Sequence, residues 1–225
     1  MKHEETQTIG PDITTTVEPL QLVLGPVQER PRLEGTPPQP PEFTIWELGD
    51  PSQAVPAVYV DARCLVATWE HAVAHLHHEV GGLLLGETLI YLGEPVVRID
   101  HSLIAQHAAE RRDSLTFTQQ TWAELNKAQA EQFPNSTVVG WYHTHPGYRV
   151  FLSAHDQFVH RHFFSTQNGV ALVIDPRNVD AGFFSDQGGM AGRLKGYRVF
   201  ASQRLEEIEI AKAAAVINQL ATGSR

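Results

Sequence analysis

Residues 141–156 read WYHTHPGYRVFLSAHD. Three local signals meet in them. STVVGWYHTH (136–145) is rich in β-branched and aromatic residues, which predicts a strand. Pro146 and Gly147 predict a turn. Ser153 followed by Asp156 has the form of a capping box and predicts a helix from Ser153 to about Ser165. His143 and His145 are two apart, so on a strand their side chains leave the same face and can meet one ion. A cap at Ser153 puts Asp156 in the first helical turn, where its carboxylate can face back toward the strand end. Two imidazoles and one carboxylate leave a fourth position open, the pattern of a catalytic rather than a structural zinc site. Each piece alone also has an ordinary reading, as surface histidines and a plain helix cap.

The chain around this stretch divides by texture. Ten of the fourteen prolines lie within residues 1–56, most densely in RPRLEGTPPQPPEF (30–43). Proline fixes φ and removes a donor, so residues 1–45 are expected to form a flexible or loosely docked arm, in which QLVLGPV (21–27) could add an edge strand. Residues 46–202 carry alternating strand and helix signals, and 203–225 a C-terminal helix and tail. AVYVDA (57–62) reads as a strand and LVATWEHAVAHLHHE (65–79) as a helix. VGGLLLGE (80–87) reads as a buried strand and residues 89–104 as a hairpin. QHAAERRDS (106–114) reads as a polar loop, and Thr118 caps a helix to about Gln132. GVALVID (169–175), AGFFSD (181–186) and RLKGYRVFA (193–201) are further strands, and residues 204–220 a last helix. Irregular alternation with hairpins predicts an α/β or α+β fold on a mixed sheet.

Composition narrows the function. A chain of 225 residues, 42% hydrophobic, is long enough for one domain with a sizeable core plus appendages. A net charge of −9 argues against binding nucleic acid through its phosphates. A single cysteine, Cys64, excludes an internal disulfide framework and a multi-cysteine zinc ribbon. No apolar run is long enough for a membrane helix, and MKHEETQTIG has no signal-peptide core, so a soluble cytoplasmic protein is expected.

A zinc hydrolase also needs a base to take the proton of the attacking water. Glu79 stands just before the apolar strand, where a carboxylate is expensive unless it has a partner or a task. It reads either as that base or as an exposed helix end. Taken together, Glu79 before VGGLLLG, His143-Thr-His145-Pro146, and Ser153 with Asp156 seven residues on resemble the JAMM (MPN-plus) family of zinc metalloproteases. The flanks VVGWYHTHPGY and VALVIDP (170–176) match as well, and the likeness covers about residues 56–200. It is strongest to the deubiquitinating members, such as the proteasome-lid and signalosome subunits and the endosomal enzyme, and the chain reads as a prokaryotic homologue of them.

The resemblance implies an MPN/JAMM fold, a cytidine-deaminase-like mixed sheet flanked by helices. It implies zinc held by His143, His145 and Asp156, with Glu79 holding and deprotonating the zinc-bound water and later protonating the leaving amine. Ser153 would hydrogen-bond the oxyanion. One catalytic ion is expected. A second, structural zinc is not: His71 and His75 have no third ligand at standard spacing, and near His155, His160 and His162 the endosomal relatives use a cysteine that this chain lacks. The implied reaction is hydrolysis of the isopeptide or peptide bond after the tail of a ubiquitin or ubiquitin-like protein. The loop with Gln106, Arg111, Arg112 and Asp113 stands where the family's partner-contacting insertion falls. Processing of a sulfur carrier or another precursor, and a non-catalytic MPN scaffold, remain the alternatives. A homodimer or a complex partner, through the C-terminal helix, fits the same resemblance.

Overall fold

The run GGLLLGETLIY forms one eleven-residue strand, and the rest of the sheet is built around it. The computed structural model describes residues 33–106, 109–111, 114–116, 118–164 and 169–223. In chain order the elements are β1 (Leu33–Glu34), β2 (Phe43–Gly49), β3 (Ala57–Asp61), α1 (Ala62–Ala74), β4 (Gly81–Tyr91), β5 (Glu94–Ile104), β6 (Ala109–Arg111) and β7 (Ser114–Thr116). There follow α2 (Gln119–Gln132), β8 (Thr137–Thr144), α3 (Ala154–Val159), β9 (Val170–Asp175), β10 (Asp180–Asp186), β11 (Ala191–Arg193), β12 (Gly196–Ser202) and α4 (Glu207–Gly223). The main sheet runs β11-β10-β9-β8-β4-β5-β3-β12-β2, and β1 pairs with β4. It is mixed: β8 with β9, β3 with β5 and β3 with β12 are parallel, and β4 is antiparallel to both its long neighbours. The expected α/β class with a mixed sheet flanked by helices is what the chain adopts.

The continuous apolar runs arise because both faces of the central strands are covered. On one face Leu84, Tyr142, Leu172 and Ile174 pack with Leu65, Trp69 and Ala72 of α1 and Val216, Ile217 and Leu220 of α4. On the other, Leu83, Leu85, Trp141, Ala171 and Val173 pack with Leu125 of α2, Val159 of α3 and Phe164. Alternate residues of one strand thus serve opposite layers. No described helix is long and apolar enough to cross a membrane.

Several expectations are redrawn. Residues Gly81–Tyr91 are one strand, not a strand followed by a separate hairpin arm. A bulge between Leu85 and Gly86 absorbs the change of register, and the turn comes at Leu92 and Gly93, both at positive φ. The helix expected over 65–79 ends at Ala74, where the ring of His75 bonds the His71 carbonyl, one of those an ending helix leaves open. Residues 106–114 are not wholly loop: β6 and β7 pair antiparallel as a separate two-stranded sheet. The strand expected at 193–201 is two strands, broken where Leu194 turns to bond Phe183. At that break Gly196 lies so close to Leu48 and Asp50 that a β-carbon would sit 2.5 Å from their backbone atoms.

Of the proline-rich segment, residues 33–45 lie against the sheet: β1 lies beside Leu89 and Ile90, Pro37 and Pro38 are buried, and β2 begins at Phe43. QLVLGPV (21–27) lies outside the described residues. After α3 the helix widens into a single π-turn, His160–Phe164. The side-chain amide of Gln157 on α3 grips the sheet edge in both directions, accepting from the Ala191 amide (3.0 Å) and donating to its carbonyl (2.8 Å).

Candidate metal centre

Strand β8 and the start of α3 bring the donors together. His143 is the penultimate residue of β8, level with Gly81 of β4 and Val173 of β9. His145 follows one residue beyond the strand and keeps its alternation, because its amide bonds the Ile174 carbonyl (2.8 Å). Both imidazoles therefore project the same way. Ser153 is the N-cap of α3 with a complete capping box: Asp156 N donates to Ser153 Oγ (3.2 Å), and Ser153 N donates to Asp156 Oδ2 (2.7 Å). The box aims the Asp156 carboxylate at the histidines, with Oδ2 at 3.5 Å from His143 Nε2 and 3.6 Å from His145 Nε2. Because Oγ acts as acceptor in the cap, the Ser153 hydroxyl proton is left to donate elsewhere.

Glu79 does not sit on a helix end. It stands in the connection between α1 and β4, which is fixed by Val80 and Thr144: the Thr144 amide donates to the Val80 carbonyl (2.9 Å), and the Val80 amide donates to Thr144 Oγ1 (3.0 Å). This clamp places Glu79 Oε1 3.6 Å from His145 Nε2, with the Glu79 side chain 8% exposed.

The geometry of the group can accommodate a cation. His143 and His145 are buried, and their Nε2 atoms lie 3.1 Å apart. Two imidazole lone pairs at that distance repel unless a proton or a metal stands between them. His145 Nδ1–H donates to the Arg149 carbonyl (3.2 Å), which turns a bare Nε2 toward the centre, the arrangement of a metal-ligating histidine. Burial pushes the His143 imidazole below its ordinary value. Burial also presses on His145, but the neighbouring carboxylates of Asp156 and Glu79 outweigh it and raise that imidazole. Burial would raise Asp156, yet the two imidazoles beside it hold its carboxyl well below the usual range. His143, His145 and Asp156 offer three donor atoms within 4.8 Å of one another, and they are the group of that kind among the described residues.

Other sequence candidates lie apart from it. His71 bonds the Tyr142 hydroxyl (2.8 Å), and burial followed by the charges of His75 and His78 lowers it to about 4. His160 accepts from Trp141 Nε1 (3.4 Å), while the His162 ring lies tilted against that of Phe158 and His155 is exposed. Gln106 is exposed beyond β5 and Arg111 ends β6; Arg112 and Asp113 lie outside the described residues.

Sequence reasoning did not single out Asp175, which is fully buried and accepts from the amides of Gly147 and Arg149. An acid closing the apolar run VALVID was the available signal. It also did not single out Trp141, whose ring stacks on that of His143 (4.5 Å between centroids, 10° between planes).

Fold and donor set together define a class: a mixed sheet with a buried His–His–Asp group that could hold a metal ion at the end of a central strand. The chain belongs to the JAB1/Mov34/MPN/PAD-1 ubiquitin protease family, whose pattern matches residues 53–168. It is similar to the 26S proteasome regulatory subunit RPN11 of Candida glabrata, 28% identical over 120 residues, 53% of this chain and 38% of that one. It is also similar to the COP9 signalosome complex subunit 5 of Oryza sativa subsp. japonica, 34% identical over 132 residues, 55% of this chain and 34% of that one. The chain thus spans well under half the length of these curated relatives. In three dimensions it resembles the solution structure of protein DSY2949 from Desulfitobacterium hafniense, with a TM-score of 0.52 at 14% identity, over 68% of this chain and 97% of that one. That likeness speaks to the fold alone.

Proposed function

We propose that this chain is a zinc-dependent isopeptidase that hydrolyses the bond after the C-terminal tail of a ubiquitin or ubiquitin-like protein. The observation that carries the reading is the convergence of His143, His145 and Asp156 within 4.8 Å, with Glu79 reaching the same point from another element. Two neutral nitrogens and one carboxylate suit zinc and leave a coordination position open. When bound, zinc supplies Lewis acidity and makes water acidic enough to be deprotonated near neutral pH.

The remaining work falls to the chain's own groups. Glu79 takes the proton of the attacking water and passes it to the leaving amine, for which its place beside His145 suits it. Ser153 donates its hydroxyl proton to the developing oxyanion, since the cap occupies Oγ only as an acceptor. Phe151, 45% exposed and with its ring 4.8 Å from that of His145, offers an apolar surface beside the centre for an extended tail. The relatives named above are subunits of large assemblies, and a homodimer or a complex partner belongs to the same reading.

The test is Glu79→Gln assayed on a panel of C-terminally extended and lysine-linked ubiquitin-like proteins, with zinc content measured alongside. Turnover is expected to fall about 10²–10⁴-fold while zinc is retained. Wild-type protein that purifies without zinc and gains no activity from it, or a Glu79→Gln variant as active as wild type, would refute the proposal.

A further inference from the structure

Beyond the donor group, Asp175 forms an unusual junction between two loops. It is the last residue of β9 and 0% exposed. In its own turn its carboxylate accepts from the Arg177 amide (3.0 Å), the Asn178 amide (3.1 Å) and the Asn178 side chain (2.6 Å). Across the gap to the loop after β8, Oδ1 accepts from the Gly147 amide (2.8 Å) and Oδ2 from the Arg149 amide (2.7 Å). Five hydrogen bonds on one carboxylate satisfy a buried charge without any cation.

The loop held in this way is not one the backbone adopts readily. Gly147 has φ +89° and Arg149 φ +72°, and a left-handed conformation at a residue like arginine needs outside support. In that conformation the two polar groups of Arg149 serve different partners. Its amide is bound by Asp175, and its carbonyl accepts the Nδ1–H of His145.

We infer that Asp175 is a positioning residue for His145: by holding the Arg149 amide it fixes the residue whose carbonyl keeps His145 in the tautomer with a bare Nε2 facing the centre. Asp175 touches neither the donor group nor a reacting atom. It acts through a single residue, Arg149, as the partners of metal-bound histidines do in fixing ring orientation. The inference rests on the metal reading above for its consequence, but its geometric content concerns His145 with or without an ion.

The experiment compares wild type, Asp175→Asn and Asn178→Ala. Asn178→Ala removes a bond within Asp175's own turn and leaves the bonds to Gly147 and Arg149, so it controls for a role in stability alone. The first readout is Co²⁺ and Zn²⁺ affinity by chelator competition, which Asp175→Asn should weaken about 10–100-fold while Asn178→Ala leaves it unchanged. The second is the His145 Nδ1–H signal in nitrogen-resolved spectra of metal-free protein at about pH 9, above the imidazole range. It should be present and protected in wild type and Asn178→Ala, and lost in Asp175→Asn. Retention of both affinity and signal in Asp175→Asn overturns the inference, as does equal weakening by both variants. Wild type that binds neither ion would end the metal reading, while the spectra would still decide the role of Asp175. Should Asp175→Asn not fold, absence of a protected His145 Nδ1–H in wild type overturns the inference by itself.

Discussion

At the scale of single residues, Ser153 combines two tasks that substitution can separate. As N-cap it starts α3, and as a hydroxyl it has a proton to give. Ser153→Ala should cost about 1 kcal/mol of stability through the lost cap. It should cost far more in turnover, on the order of 10²–10³-fold, if the hydroxyl serves the oxyanion. Ser153→Thr keeps both functions and should restore most of the activity. Thermal melts beside kinetics tell the tasks apart, and a loss of activity no larger than the stability change explains would remove Ser153 from the chemistry. That His143 and His145 share a strand face, and that Ser153 and Asp156 form a cap, was legible from local spacing, whereas Glu79 was joined to them only through the resemblance to the JAMM family. Asp175 was not legible, because its meaning lies in the amides of Gly147 and Arg149, 28 and 26 residues earlier, which the sequence shows only as a turn.

At the scale of elements, the close approach of β8 to its neighbours sets where His143 comes to rest. Gly140 stands opposite Val170, and a β-carbon there would lie 2.1 Å from the Val170 carbonyl oxygen. Gly140→Ala must therefore push β8 and β9 apart. We expect a loss of about 1–3 kcal/mol, together with weaker metal binding, since His143 is three residues further along the displaced strand. Calorimetry and metal titration check both; a variant as stable and as metal-avid as wild type would show that the sheet absorbs the methyl group elsewhere. The strands were readable as apolar runs, but the join of residues 80–87 to 89–91 was not. Continuity there depends on a bulge opposite β5, and a bulge is a property of the pair. The end of α1 was misplaced for a related reason. LHHE continues a helical pattern locally, but the chain leaves the helix to carry Glu79 to Thr144, 65 residues later.

At the scale of the molecule, acid stability reports on the junction of the two loops. Burial would raise the Asp175 carboxyl, but hydrogen bonds from the Asn178 side chain and from the amides of Gly147 and Arg149 hold it below the ordinary value. A carboxyl depressed in the folded state stabilises above its unfolded pKa, about 3.9, and loses that contribution as pH falls through the folded value. Wild type should therefore melt above Asp175→Asn at neutral pH, and the gap should narrow as pH drops below about 4. A gap that stays constant between neutral pH and the onset of acid unfolding would mean that the charge does not matter. The order of the strands was the least legible feature. Nothing in the run of the chain says that β12 inserts between β3 and β2, or that α4 closes the layer over α1; those follow from which apolar faces remain to be covered.

The grip of Gln157 on Ala191 has a consequence for how the protein behaves in company. The outermost strand of an open sheet is a template on which other chains can polymerise. Here a primary amide takes the place of one more peptide group, so the rim at β11 is already occupied at Ala191. The helix that bears Ser153 and Asp156 thus also acts as a stopper against self-templating. An extended guest seeking a strand to pair with is denied that position.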